Sequence, residues 1–148
     1  MQVTVPIPEL RELIVARLSQ HFDHADADRM ADAVLFGEVA GRATHGIARL
    51  LPGSFGAMDE PPGSPPVTTR TSPSAAHIEG SPGMLVAHLA TDLTIEIAQE
   101  TGMAVVTTAG SRSTSGSLTF YVERMTQAGL VAMVSANTLA LVAPPGGT

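Results

Sequence analysis

Leu10, Leu13, Ile14 and Leu18 recur at helical spacing, with Arg17 as the polar exception, and predict a helix over residues 8–22. Pro8 suits the first turn of such a helix. A second helix is predicted over about residues 27–40, turning Met30, Ala33, Val34 and Gly37 inward. Leu85, Leu89, Leu93 and Ile97 fall four apart, and Val86, Ala90 and Ile95 broaden the stripe; a long helix over 84–101 follows, stopped by Gly102. A fourth helix is expected over 117–128, closed by Gly129. Residues 3–5 suit a short strand or an extended lead-in, and 50–58 a short irregular helix. Residues 67–70 and 75–79 are strand candidates joined by a turn at Ser72-Pro73-Ser74. The apolar runs 103–108 and 130–135 predict two buried strands. With the helix between them they form a strand–helix–strand unit, which implies neighbouring parallel strands.

The pattern predicts an α/β protein: N-terminal helices plus a mixed sheet with a strand–helix–strand unit. One domain is expected over 1–148. Within it, residues 1–58 form a helical segment, 59–83 a Pro/Gly-rich crossover and 84–148 an α/β segment. The crossover contains Glu60-Pro61-Pro62-Gly63-Ser64-Pro65-Pro66, where proline is dense enough to block both helix and central strand.

Composition narrows the classes. Hydrophobic residues make up 44% of the 148, enough for a globular core, yet four Phe, one Tyr and no Trp leave that core to Ala, Val, Leu, Ile and Met. The net charge of −6 offers no basic face and argues against a nucleic-acid partner. The absence of cysteine excludes disulfides, thiolate metal sites and a thiol nucleophile. No signal peptide is expected from the first residues, and no apolar run approaches the length that spans a bilayer, so the default expectation is a cytoplasmic protein without a membrane partner.

Candidate chemistry gathers in Gly41-Arg42-Ala43-Thr44-His45-Gly46-Ile47-Ala48-Arg49-Leu50, where a helix breaks off. A histidine four residues before an arginine, with glycine between, can hold and protonate a small carboxylate-bearing molecule. The same residues also suit an ordinary helix C-terminus, with Gly41 as the stop and Arg42 and His45 answering the dipole. Glu38, near the end of the second helix, is a candidate partner for His45 or an arginine. The loop Ala109-Gly110-Ser111-Arg112-Ser113-Thr114-Ser115-Gly116 suits an anion site at a helix start, or a flexible turn with a good cap. It lacks the Lys-Ser/Thr of a Walker loop and matches no dinucleotide fingerprint. Two His and three Asp among residues 21–28 suggest a metal or an N-cap; Asp23 or Asp26 is better read as the cap. His88 and Asp92 share a helix face, where a lone histidine is more often packed or solvated than a ligand.

The sequence resembles the malate/L-lactate dehydrogenase family that is separate from the Rossmann-type enzymes and includes ureidoglycolate dehydrogenase, diketogulonate reductase and piperideine-carboxylate reductases. The resemblance runs from about Val3 to Gly147. It rests on Thr44-His45-Gly46 with Arg49, on Gly102-Met103-Ala104-Val105-Val106, on Gly116 and Tyr121, on Gly129-Leu130-Val131, and on Asn137 with Pro145-Gly146-Gly147. It implies a shortened, N-terminal form of that family's mixed α/β fold, a homodimer, and NAD- or NADP-dependent interconversion of 2-oxo or imino acids with hydroxy or amino acids. His45 would then donate the proton and Arg49 hold the carboxylate. Thr44, Arg112 and Thr114 would line the substrate, with Asn137 and Gly146 towards the cofactor and no metal involved.

Two departures bear on that expectation. The family's second histidine falls at Thr114, which cannot titrate near neutrality, and its usual acidic residue before Ser-His falls at Ala43. Family members are also more than twice this length, so much of the cofactor site is missing, and the strands call for a second copy or a partner chain to complete the sheet. Non-redox chemistry at His45 (a lyase, isomerase or cyclase) and a catalytically silent assembly module are the alternatives.

Overall fold

The computed structural model describes residues 4–54, 56–59 and 65–137. Helix α1 (Ile7–Leu18) opens with proline in its first turn and packs against α2 (His24–Val39), the two joined by a short turn. Asp23 is the N-cap of α2: its carboxylate accepts the Asp26 backbone N–H at 2.9 Å. The first four helix N–H groups have no intrahelical acceptor, so this bond fixes where α2 begins. Arg11 of α1 ties the pair by reaching Asp28 at 2.7 Å and Asp32 at 2.9 Å.

After α2 come two 3-10 turns, Ala43–His45 and Ile47–Leu50, and a third at Ala57–Asp59. Strands β1 (Val67–Ser72) and β2 (Ala75–Glu79) form the antiparallel hairpin expected from the sequence. Helix α3 (Gly83–Thr101) follows and ends at Gly102, whose φ of 84° is open to glycine at little cost. Strand β3 (Val105–Ala109) then pairs in parallel with β2, Ala75 facing Val105 and Glu79 facing Ala109. The sheet is mixed, in the order β1-β2-β3. Helix α4 (Leu118–Gln127) completes the regular elements among the described residues.

Two expectations are corrected. The parallel unit is β2-α3-β3, so the neighbour of β3 is the hairpin strand rather than residues 130–135. Those residues join no strand among the described residues. They still run with alternating burial, Leu130, Ala132 and Val134 packing towards α4 while Val131 and Met133 face outward. An apolar run reads as a buried strand only when both faces are covered; here the helices cover one. β3 is likewise exposed along most of its length rather than buried. Residues 1–3, 55, 60–64 and 138–148 lie outside the described residues.

Two apolar clusters hold the helices. In the first, Ile14, Val15 and Leu18 of α1 meet Ala27, Met30, Ala31 and Val34 of α2 and Met84 and Leu85 of α3. In the second, Ala33 of α2 meets Tyr121 and Met125 of α4. The Tyr121 hydroxyl donates to the Ser115 carbonyl at 2.6 Å, and burial pushes its pKa up. At the seam of α3 and α4, His88 is 7% exposed and packs 6.1 Å from the Phe120 ring. Its Nδ1, like Ser117 Oγ and Arg124 Nη1, is buried without a hydrogen-bond partner among the described residues. Each such atom costs about 1–3 kcal/mol. Asp92, the companion of His88 on α3, instead accepts Arg124 at 2.6 Å.

Burial, and then the Arg124 charge, hold the His88 imidazole below its ordinary value of 6.5; Arg29 acts in the same sense, while Asp92 and Asp32 oppose it. Below pH 6.5 the unfolded chain takes up a proton at this position that the folded chain resists, so stability falls as the pH falls. Urea unfolding of the parent between pH 7.5 and 5.5 should therefore show a decline that is visibly flatter in His88→Leu. Parallel curves for the two proteins would remove His88 from the acid sensitivity.

Candidate functional site

The site is built where α2 gives way to the 3-10 turns. The chain reverses at Gly46 and passes back along the last turn of α2 at backbone distance. A Cβ on Gly37 would run into the His45 carbonyl, and one on Gly46 into Glu38. Only glycine at both places lets the two backbones approach this closely. The Glu38 carboxylate uses the approach to accept the Ile47 N–H at 3.0 Å, capping the second 3-10 turn. Glu38 therefore serves a backbone donor, rather than the His45 ring or an arginine, because the reversal aims the start of that turn at it.

His45 ends the first 3-10 turn, half-buried. The Thr44 hydroxyl lies 3.1 Å from its Nδ1. Burial first, then the charges of Arg49 and Arg42, hold its imidazole below its ordinary value of 6.5. Arg49 closes the loop: its Nε donates to the Thr44 carbonyl and its Nη1 to the Ser54 carbonyl. The loop is stiffened further at its far end, where Asp59 accepts the N–H groups of Gly53 at 2.6 Å and Gly56 at 3.2 Å. Thr44, His45 and Arg49 are thus one constellation, a titratable ring beside a guanidinium, held by backbone bonds within a dozen residues.

Arg112 and Thr114 belong to a second group. Their loop packs on the start of α3, where Ser113 Oγ accepts the Gly83 N–H at 2.9 Å. The carbonyls of Ser113 and Thr114 lie so near Gly83 that a Cβ there would clash with both. Thr114 spends its hydroxyl locally, accepting the Gly116 N–H at 3.1 Å. Arg112 is exposed and makes interactions of its own. Asn137 is exposed at the end of the extended 130–137 segment, and Gly146 lies outside the described residues. Among the described residues no group of three histidine, aspartate or glutamate side chains is placed to hold a metal ion, and Asp23 of the acidic 21–28 stretch is engaged as a cap. Sequence reasoning turned Gly37 inward, as it is, but missed that it meets the His45 backbone, and it missed Ser54 as a backbone acceptor.

The profile of the malate/L-lactate dehydrogenase family matches residues 5–148. The chain belongs to that family. A malate dehydrogenase of Pyrococcus abyssi is 29% identical over 150 residues, covering 98% of this chain and 41% of that protein. The structure of a malate dehydrogenase from Pyrococcus horikoshii superposes with a TM-score of 0.71 at 26% identity, over 82% of this chain and 36% of that one. A sulfolactate dehydrogenase from Methanocaldococcus jannaschii does so with a TM-score of 0.69 at 25% identity, again over 82% of this chain and 36% of the other. The chain therefore spans about two-fifths of the length of these relatives. Its mixed α/β architecture is theirs over that span.

The close passage at Gly37 makes a test. Alanine normally favours a helix by about 1 kcal/mol over glycine. Gly37→Ala should nevertheless lose roughly 1–3 kcal/mol, the usual cost of overpacking, and shift the His45 ring signals in an NMR spectrum. A variant as stable as the parent, with unmoved His45 signals, would show that the approach is loose.

Proposed function

We propose that this chain contributes the substrate end of an oxidoreductase acting on small 2-oxo or 2-hydroxy (or imino) acids. The observation that carries the reading is the pairing of His45 with Arg49 on one stiff loop, in a chain of the malate/L-lactate dehydrogenase family. Reduction of a carbonyl leaves an alkoxide that needs a proton, and an imidazole is the side chain suited to give one near neutral pH. With the Thr44 hydroxyl at Nδ1, Nε2 is the ring nitrogen that exchanges this proton. The N–H groups of Arg49 not given to backbone carbonyls would hold the substrate carboxylate. That anion also favours the charged imidazole, countering the burial and the arginines that lower its pKa.

The cofactor expected of the family is NAD or NADP, which would exchange the hydride. The described residues do not fit a complete seat for it. The serine-rich loop at 110–116, the best phosphate cradle in the sequence, spends the Ser113 hydroxyl on the Gly83 N–H at the start of α3. Asn137 stands exposed at the end of the described residues. The steps assigned to this chain are therefore carboxylate binding and proton exchange. Nucleotide binding in this reading calls for more polypeptide, from a second copy or a partner chain that completes the sheet. No helix among the described residues is long and apolar enough to cross a membrane, and we take the cytoplasm as the working place of the protein.

The test is an NMR titration of the His45 ring with pyruvate and lactate. Saturable shifts with a raised His45 pKa are expected, and Arg49→Gln should weaken them about tenfold or more, as for loss of a charged hydrogen bond. Thermal unfolding of that variant is read alongside, since Arg49 also braces the loop. Signals indifferent to both acids at tens of millimolar, roughly the weak limit of useful binding, would overturn the assignment of Arg49 and His45.

A further inference from the structure

Strand β2 lies between β1 and β3, so its backbone is held in a ladder on each side. Alternation buries Ala76 and Ile78 and puts His77 and Glu79 together on the other face. Side chains on such a strand are positioned more precisely than side chains on a loop. His77 Nε2 lies 3.3 Å from Glu79 Oε2. Its Nδ1 lies 2.8 Å from the Oγ1 of Thr107, the residue that faces it on β3. The pair is open to solvent, with side-chain exposures of 36% for His77 and 66% for Glu79. Glu79 has only Val67 and Ala109 as cross-strand neighbours. The loop residue beside its Oε1 is Gly110, where a Cβ would come to 3.2 Å. Among the described residues no arginine pairs with Glu79, and His77 alone of the histidines lies within ion-pair distance of a carboxylate. Asp28, one turn from His24, is taken by Arg11, and Asp92, one turn from His88, is taken by Arg124.

We propose that His77 Nε2 and the Glu79 carboxylate form a seat for a zinc ion on this face of the sheet, with Thr107 orienting the ring. The spacing fits the ion. A tetrahedral zinc with bonds of about 2.0–2.1 Å holds neighbouring ligand atoms roughly 3.3–3.4 Å apart. The donors fit as well: an imidazole with a carboxylate suits zinc, whereas magnesium takes oxygen ligands. A metal-binding histidine is ordinarily fixed by a hydrogen bond from its other ring nitrogen. His77 Nδ1 has its partner in Thr107, whose hydroxyl can accept a proton from the ring as readily as donate one to it. Zinc then replaces the proton that Nε2 and the carboxylate share. The seat has two protein ligands, one short of the set that would close around the ion, so water takes the remaining positions. His45 and Arg49 take no part in it, and the inference is independent of the redox reading.

The test titrates the purified chain, first stripped of metal by a chelator, with zinc chloride at mildly alkaline pH, where imidazole is neutral. NMR reads the five histidine rings as separate reporters. The His77 signals should shift and saturate at zinc concentrations that leave the other four rings unmoved. Glu79→Gln should lose the saturable shift while its unfolding temperature without metal stays that of the parent, since the side chain is exposed. Thr107→Val keeps both ligands and removes the hydroxyl, and should weaken zinc about tenfold or more. Zinc should also raise the unfolding temperature of the parent but not of Glu79→Gln. His77 signals unmoved at millimolar zinc would overturn the proposal and leave the pair an ordinary surface ion pair. An undiminished response in Glu79→Gln would overturn it too. So would equal shifts in the exposed rings of His21 and His24, or the same shifts with magnesium, either of which would show a diffuse attraction of cations to an acidic chain.

Discussion

Helix α2 has to pack on both sides, and it can do so because its contact residues are small. Ala27 and Ala31 let it lie close to α1, Ala33 gives a flat seat to Tyr121 and Met125 of α4, and Gly37 accepts the returning backbone at His45. Packing at interior density leaves no slack in such an arrangement. A rotation of α2 that suited one cluster would open the other. The same rotation would carry Gly37 away from His45 and Glu38 away from Ile47. The candidate site is therefore set by the helix that binds the two cores together, and only secondarily by its own loop.

This dependence explains what was legible in the sequence. Elements fixed by local signals were found in place: α1 from its proline and apolar stripe, although it stops at Leu18 rather than 22, α2 from its inward stripe, although the cap left open between Asp23 and Asp26 proves to be Asp23 and starts it at His24 rather than 27, α3 from its four-residue spacing and Gly102, and the hairpin from its turn. Thr44, His45 and Arg49 were legible because they are neighbours on one short stretch. What failed was what depends on distant partners. The parallel partner of β3 lies thirty residues back across α3, and no local pattern names it. The run at 130–135 has the composition of a buried strand, but burial is decided by what lies over each face. Glu38 looked like a charge partner because sequence shows a carboxylate near arginines, whereas the reversal at Gly46 offers it a backbone N–H first.

The polar seam between α3 and α4 shows a different compromise. His88, Ser117 and Arg124 each keep a buried polar atom without a partner, while Arg124 also pairs with Asp92 and lies over the Phe120 ring at 5.9 Å. Three unpaired atoms in one interface weigh against the apolar contact that Tyr121 and Met125 supply a turn away. The seam that holds α4 is thereby more polar than the wholly apolar cluster that joins α1 to α2.

The two margins of the sheet are unlike. β1 is built of Val67, three threonines, Arg70 and Ser72, is exposed throughout, and has an irregularity in its pairing between Arg70 and Ser72. A short, polar, kinked strand of this kind is a poor template for another chain. The opposite margin is β3, which opens with Val105 and Val106 and pairs with β2 in unbroken register. Any association through the sheet would consequently favour one side. A unit that can add a neighbour on one side alone stops at the first addition and cannot polymerise, whereas a sheet adhesive on both margins would grow into fibres.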